Sequence, residues 1–115
     1  MTGPARLART FARATVADGP FHFILFVTAR CNARCQMCFY LDEIEAANAN
    51  LARELTGDEI GEIFIKLGFV PYISLSGGEP FLRRDVFDIL DGAARETQPL
   101  AISTPTNCSM PERVI

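Results

Sequence analysis

Three short, nearly continuous apolar runs alternate along the chain with two segments whose apolar residues recur at helical spacing. The runs cover residues 21–29, 70–76 and 100–104. Gly, Pro and polar residues bound them, which is typical of buried strands. A buried helix is the alternative for the first run, but that run is short and has helix breakers on its flanks. The pattern therefore predicts three strands of a parallel sheet.

The two intervening segments carry helix signals. Thr56 and Glu59 stand at the spacing of a capping box, and Gly68 is placed to end the helix that follows. Asp85 is predicted to cap the second helix, and residues 41–55 are predicted to hold a short helix within a long loop. The predicted apolar faces are Ile60, Ile63, Phe64 and Leu67 in the first helix, and Val86, Phe87, Ile89, Leu90 and Ala93 in the second.

The order strand, helix, strand, helix, strand predicts an α/β fold with a parallel sheet and crossover helices. Ligands of such sheets bind at the carboxyl ends of the strands. Residues 1–20 stand outside this pattern, bear several arginines and hold almost no acidic residues. We predict an amino-terminal extension there, as a short amphipathic helix or loose arm, with a transit peptide as the alternative. Residues 21–115 form the predicted domain.

Composition narrows the possible partners. With 115 residues, 49% of them hydrophobic, the chain can form one core in one domain. A net charge of -3 provides no basic field for nucleic acid. No apolar run approaches the ~18 residues that cross a bilayer, and no secretory apolar region is present. We therefore expect a cytoplasmic protein with reduced thiols and without a membrane or nucleic-acid partner.

Three of the four cysteines follow the first predicted strand in a CxxxCxxC pattern: Cys31, Cys35 and Cys38. Thiolates are soft ligands that suit zinc or an iron–sulfur cluster. A structural zinc site normally takes four ligands, and no second cysteine pair is present. His22, the only histidine, is interpreted as a strand or surface residue. A cluster held by three thiolates leaves one iron open to another ligand.

A second motif, Gly-Gly-Glu-Pro at residues 77–80, ends the second predicted strand. Alone it would indicate an ordinary strand-to-helix turn. Together, CxxxCxxC after a first strand and GGEP after a second resemble the radical S-adenosylmethionine (radical SAM) superfamily. The segments "LSGGEPFLR" and "TPTNCSMPERVI" resemble its MoaA-like and SPASM-domain branch. This resemblance implies the amino-terminal part of a partial (β/α) barrel.

The resemblance also implies roles for individual residues. The implied ligands of three irons in a [4Fe-4S] cluster are Cys31, Cys35 and Cys38. The fourth iron would chelate the amino and carboxylate groups of S-adenosylmethionine (SAM), and Glu79 would accept a hydrogen bond from that amino group. Gly77 and Gly78 would let the backbone approach the ligand, and Pro80 would hold the turn.

Two positions depart from the pattern of the family. An aromatic residue commonly precedes the third cysteine, near the adenine, but Met37 stands there and the aromatics Phe39 and Tyr40 follow. Methionine can pack on a ring through its polarizable sulfur, with plain packing in the loop as the alternative. Asn107 falls where the branch reads Thr-Asn-Gly, but Cys108 replaces the glycine, which puts the turn in doubt. We predict that Cys108 is a small buried residue and not a ligand.

The implied function is reductive cleavage of SAM to a 5'-deoxyadenosyl radical, which abstracts hydrogen from an unknown substrate. An electron donor such as a flavodoxin or ferredoxin would be required. The family's barrel has about six strand–helix units, whereas this sequence supplies three strands. We therefore expect an incomplete core domain, from the amino-terminal part of a longer protein or from a truncated reading frame. The alternative function is a non-catalytic iron–sulfur or zinc-binding module.

Overall fold

A computed structural model describes residues 3–39, 41–49 and 54–114. The predicted α/β order is confirmed, the short helix expected within residues 41–55 is present, and a further short helix follows the third strand. In chain order the elements are α1 (Pro4–Val16), β1 (His22–Thr28), α2 (Leu41–Ala49), α3 (Gly57–Leu67), β2 (Tyr72–Gly77), a 3₁₀ turn (Pro80–Leu82), α4 (Val86–Thr97), β3 (Ala101–Ser103) and α5 (Pro111–Val114). The helix expected within residues 1–20 is present as α1, while the division into an extension and a domain stays a prediction.

The three strands form one parallel sheet in the order β1-β2-β3. Side chains alternate across a strand, so one face of the sheet presents apolar residues of β1 and β2 to α3 and α4. The buried core consists of Val27, Ile60, Phe64, Val70, Ile73, Leu75, Ile89 and Ala93. On the opposite face, Ile24 and Phe26 are about half exposed, at 52% and 44%. The buried core of the sheet therefore lies on its helical side.

The capping box at the start of α3 is confirmed. The Thr56 hydroxyl accepts a hydrogen bond from the Glu59 backbone N–H at 3.2 Å, and the Glu59 carboxylate accepts one from the Thr56 N–H at 2.8 Å. Gly68 ends the helix with φ 65°, a conformation that favours glycine. Ile60 and Phe64 are fully buried. Local signals of the sequence therefore define both ends of α3 and its buried face.

The predictions for α4 were wrong at two residues. Asp85 occupies the N-cap position, but its side chain makes no cap hydrogen bond, because both of its oxygens accept from the Arg83 guanidinium at 2.8 Å. A charged donor competes successfully with a backbone N–H for a carboxylate. Phe87, expected on the apolar face, is 53% exposed and contacts Phe81 edge-on, with 6.0 Å between ring centroids.

His22 is the first residue of β1 and is exposed, so the interpretation of this histidine as a strand residue is confirmed. Its Nε2 lies 2.9 Å from the Ser74 hydroxyl on the neighbouring strand. No helix in the part of the chain that the structure describes has the length and apolarity needed to span a bilayer.

Candidate functional site

The two motifs singled out in the sequence meet at the carboxyl ends of β1 and β2, as the parallel sheet requires. A cavity of about 240 Å³ opens at this edge. The motif residues that line it are Cys31, Cys35, Cys38, Gly77, Gly78 and Glu79, and the loop after β3 adds Pro105, Thr106 and Asn107. Residues from all three strand ends therefore share one cavity.

The structure does not place every candidate residue in the cavity wall. Pro80 is buried at the start of the 3₁₀ turn. Met37 and Phe39 lie on the cysteine loop at 94% and 87% exposure, outside the set of lining residues. Their contact with an adenine stays a prediction. Tyr40 lies outside the described residues.

The cysteines, all four of which lie in the described ranges, are thiols and not disulfides. The loop folds back on itself at Cys38, whose backbone N–H donates to the Cys35 carbonyl oxygen at 3.0 Å. Among the described residues, no three His, Cys, Asp or Glu side chains are close enough together to hold a metal ion. Thiolates are soft donors, which suit zinc or an iron–sulfur cluster.

Gly77 and Gly78 bring the backbone of the second motif against the start of the cysteine loop. The Gly78 N–H donates to the Thr28 carbonyl oxygen at 2.9 Å, and the Glu79 N–H donates to that of Arg30 at 2.8 Å. A Cβ on Gly77 would overlap the Thr28 carbonyl oxygen, and one on Gly78 would overlap that of Arg30. Gly77 also adopts φ 137°. The observed reason for these glycines is contact between two backbones, and a close approach to a ligand stays a prediction.

Glu79 is buried at the wall of the cavity, with 1% of its surface exposed. Its carboxylate accepts three hydrogen bonds: from the Phe81 N–H at 3.1 Å, the Thr106 hydroxyl at 2.8 Å and the Asn107 N–H at 2.7 Å. A buried carboxylate needs such donors to offset its lost hydration. Glu79 therefore also fixes the loop after β3 to the turn after β2.

Cys108 was predicted to be buried, and that prediction was wrong. The residue is exposed and adopts φ 57°, in the left-handed region. Its N–H donates to the Thr106 hydroxyl at 3.1 Å. The turn that was in doubt therefore forms with a non-glycine residue, at a cost of about 1–2 kcal/mol. The turn directs the side chain outward, and Cys108 does not line the cavity.

Sequence reasoning missed a charged network centred on Arg83, whose members Arg30, Glu54, Arg83 and Asp85 line a separate cavity. Although it is an arginine, Arg83 is only 5% exposed. The hydrogen-bonded Asp85 carboxylate raises the pKa of Arg83, and the same contact lowers the pKa of Asp85. In the sequence Arg83 stands between Leu82 and Arg84, and the available signal was Asp85, a carboxylate two residues further on.

The lowered pKa of Asp85 predicts a pH-dependent contribution to stability. A carboxyl whose folded-state pKa is lowered stabilises the fold above its ordinary value of about 3.9, and loses that contribution as the pH falls through the lowered value. We expect Asp85→Asn to lower the free energy of unfolding at pH 7 by at most about 1 kcal/mol, because the side chain is partly exposed. Urea unfolding of both proteins from pH 7 downward should show the difference shrinking below about pH 4. A difference that stays constant to acid pH would contradict this assignment.

The family model described as the Radical SAM superfamily matches residues 25–115. The chain is 35% identical over 103 residues to the pre-heme d1 synthase of Dinoroseobacter shibae, a match that covers 88% of this chain and 23% of that relative. It is 39% identical to the GTP 3',8-cyclase of a Nostoc species, covering 68% of the chain and 24% of the relative. For the GTP 3',8-cyclase of Pectobacterium atrosepticum the identity is 37%, covering 87% and 30%. The chain spans about a quarter of the length of these curated relatives.

Proposed function

Because this chain belongs to the radical SAM superfamily, we propose that it binds a [4Fe-4S] cluster and SAM as the cofactor-binding part of a radical enzyme. Proteins of this family generally use both groups. The single observation that supports the proposal is the cavity lined by the CxxxCxxC thiols together with Gly77, Gly78 and Glu79. The proposed unit is residues 21–115, with residues 1–20 as an extension.

Three residues would hold the cluster: Cys31, Cys35 and Cys38. Three thiolates leave one of four irons without a protein ligand, and this iron would chelate the amino and carboxylate groups of SAM. The chemistry supplied when both groups are bound is reductive cleavage of SAM to a 5'-deoxyadenosyl radical, which abstracts hydrogen from a substrate.

Glu79 is proposed to accept a hydrogen bond from the amino group of SAM. A carboxylate offers about four acceptor positions. Among the residues that the structure describes, Oε1 already accepts from Phe81 and Thr106, whereas Oε2 accepts from Asn107 alone. One position on Oε2 therefore remains for a donor that enters the cavity. The three protein donors fix the carboxylate, so the SAM amino group would meet a preorganised acceptor.

The remaining roles are proposed from the family and the loop. Gly77 and Gly78, which line the cavity, and Pro80, which begins the following turn, would shape the wall against SAM. Met37 and Phe39, exposed on the cysteine loop, would pack on the adenine. A flavodoxin or ferredoxin would supply the electron, in the reducing cytoplasm where thiols persist. The relatives are named for two different reactions, so the proposal does not extend to a substrate.

The experiment that tests this function is anaerobic reconstitution of the chain with iron and sulfide, with zinc present as a competitor. We expect about four irons per chain, since three cysteines can hold one cubane cluster. The electron paramagnetic resonance (EPR) spectrum of the reduced cluster should change when SAM is added. Tight zinc without a cluster would contradict the proposal and support a zinc module. A cluster whose EPR spectrum does not change when SAM is added would support a non-catalytic iron–sulfur module.

A further inference from the structure

The buried guanidinium of Arg83 joins segments that are distant in sequence. Its Nη1 donates to the Val27 carbonyl oxygen at 2.8 Å, the Leu55 carbonyl oxygen at 2.8 Å and the Glu54 carboxylate at 3.0 Å. Its Nε and Nη2 donate to the two oxygens of Asp85, each at 2.8 Å. Val27 lies at the end of β1, and Leu55 lies just before α3. One side chain therefore links the end of the first strand to the segment that returns toward the sheet.

Glu54 connects Arg83 to the start of the cysteine loop. The Arg30 guanidinium donates to both oxygens of Glu54, from Nε to Oε2 at 2.9 Å and from Nη2 to Oε1 at 3.2 Å. Arg30 precedes the first cysteine by one residue, and Glu54 follows the third by sixteen residues of sequence, counting 38 to 54. This paired contact ties the segment that enters the cysteine loop to the segment that leaves it. We call Arg30, Glu54, Arg83 and Asp85 the loop-base clamp.

The loop-base clamp is also connected to the Gly-Gly-Glu-Pro motif at residues 77–80. Arg83 stands four residues after Glu79, on the turn that carries it, and the Arg30 carbonyl oxygen accepts the Glu79 N–H at 2.8 Å. The Arg83 carbonyl oxygen in turn accepts from the Arg113 guanidinium at 2.9 Å. Thus both the loop with the thiols and the turn with the carboxylate are attached to the same charged network.

A purely stabilising role explains this network poorly. Buried ion pairs give little net stability compared with apolar side chains of similar volume, because the charges must be desolvated. An arginine fork does fix direction, since its donors lie in one plane and match carboxylate oxygens in pairs. The Arg83 side chain is 6% exposed and that of Glu54 is 19% exposed, so little water can compete for the hydrogen bond between them.

We infer that the loop-base clamp is a positioning device, which sets where the cysteine loop stands relative to Glu79. In this way it would fix the separation between the open iron and the carboxylate that holds the SAM amino group. The inference rests on the proposed function and adds to it Arg83 and Glu54, neither of which lines the cavity. Such outer residues orient the groups that do touch a metal centre.

The test compares two clamp variants, Glu54→Gln and Arg83→Lys, with two controls. Arg95→Lys alters an exposed ion pair with Asp91 on α4. Ile73→Val removes one methyl from the core and reproduces a modest loss of stability. Each protein is reconstituted anaerobically, and its iron content, thermal midpoint, rate of iron loss to a chelator and SAM dissociation constant by EPR titration are measured.

At matched iron content, we expect both clamp variants to bind SAM roughly tenfold more weakly and to lose iron roughly tenfold faster than the wild type, the lower end of outer-residue effects. Both controls should match the wild type in SAM affinity and in the rate of iron loss, while Ile73→Val should lower the thermal midpoint. Lysine keeps the positive charge but lacks the planar set of donors that pairs with two carboxylate oxygens. Arg83→Lys should therefore show both defects despite its conserved charge. Glu54→Gln keeps the size and shape of the side chain while removing its charge. This variant alone tests the inference if Arg83→Lys does not fold.

Clamp variants that match the wild type, or that change only as Ile73→Val does, would overturn the positioning role while leaving the proposed function intact. A wild-type chain that assembles no cluster, or whose cluster does not respond to SAM, would overturn both. The wild-type measurement therefore separates the two failures.

Discussion

Replacing Cys31, Cys35 or Cys38 with serine should prevent assembly of the [4Fe-4S] cluster, whereas Cys108→Ser should leave it intact. The first three residues line the cavity at the strand ends, and Cys108 lies outside it and is exposed. A serine hydroxyl does not replace a soft thiolate as an iron ligand. Iron should fall from about four atoms per chain to about one or fewer in the three loop variants, because each thiolate holds one corner of the cluster.

The measurement is the content of iron and acid-labile sulfide after anaerobic reconstitution, together with the visible absorbance of the cluster. Cys108→Ser is the matched control, since it makes the same chemical change elsewhere in the chain. Thermal unfolding of the metal-free proteins checks that each variant folds. Loss of the cluster in Cys108→Ser would indicate a four-thiolate site and would contradict the proposed arrangement.

Gly77→Ala and Gly78→Ala should each lower the free energy of unfolding by about 2–4 kcal/mol, as expected for added strain at a special backbone position. The new Cβ would overlap the carbonyl oxygen of Thr28 or Arg30, respectively. Those oxygens accept the hydrogen bonds that join β2's end to the cysteine loop, so they cannot move without breaking them. At Gly77 the φ of 137° adds a conformational cost.

Gly61→Ala is the control for these variants. Gly61 lies inside α3, and a Cβ there would meet nothing within 4 Å. Alanine should stabilise the helix by about 0.5–1 kcal/mol, because glycine loses more backbone entropy on folding. Urea unfolding of the three variants and the wild type measures all of these differences. Unchanged midpoints for Gly77→Ala and Gly78→Ala would show that the two backbones do not approach as closely as described.

The parts of the fold that the sequence predicted correctly depend on short-range signals. The Thr56–Glu59 capping box is formed by two residues three apart in the sequence. The strand β1 is marked by its own apolar run. The meeting of the two motifs could also be predicted, because parallel strands place their carboxyl ends at one edge. These predictions required only the type and order of the secondary-structure elements, and no distance between side chains.

The parts that could not be predicted depend on long-range competition for hydrogen bonds. Asp85 has the sequence of a helix cap, yet Arg83 takes both of its oxygens. The contact between Arg83 and Val27 spans 56 residues, and the contact of Glu79 with Thr106 spans 27. No local pattern encodes which distant donor reaches a buried acceptor. The burial predicted for Cys108 was wrong for a related reason. Its exposure follows from a left-handed turn in the loop after β3.

We propose that the open iron of a three-thiolate cluster binds SAM beside Glu79. Electron–nuclear double resonance on the reduced, reconstituted chain tests it most directly, using SAM whose amino group carries nitrogen-15. We predict a nitrogen-15 coupling to the cluster in the wild type, and a weaker or absent coupling in Glu79→Ala at matched iron content. Bound SAM that shows no nitrogen-15 coupling to the cluster in the wild-type chain would contradict the claim.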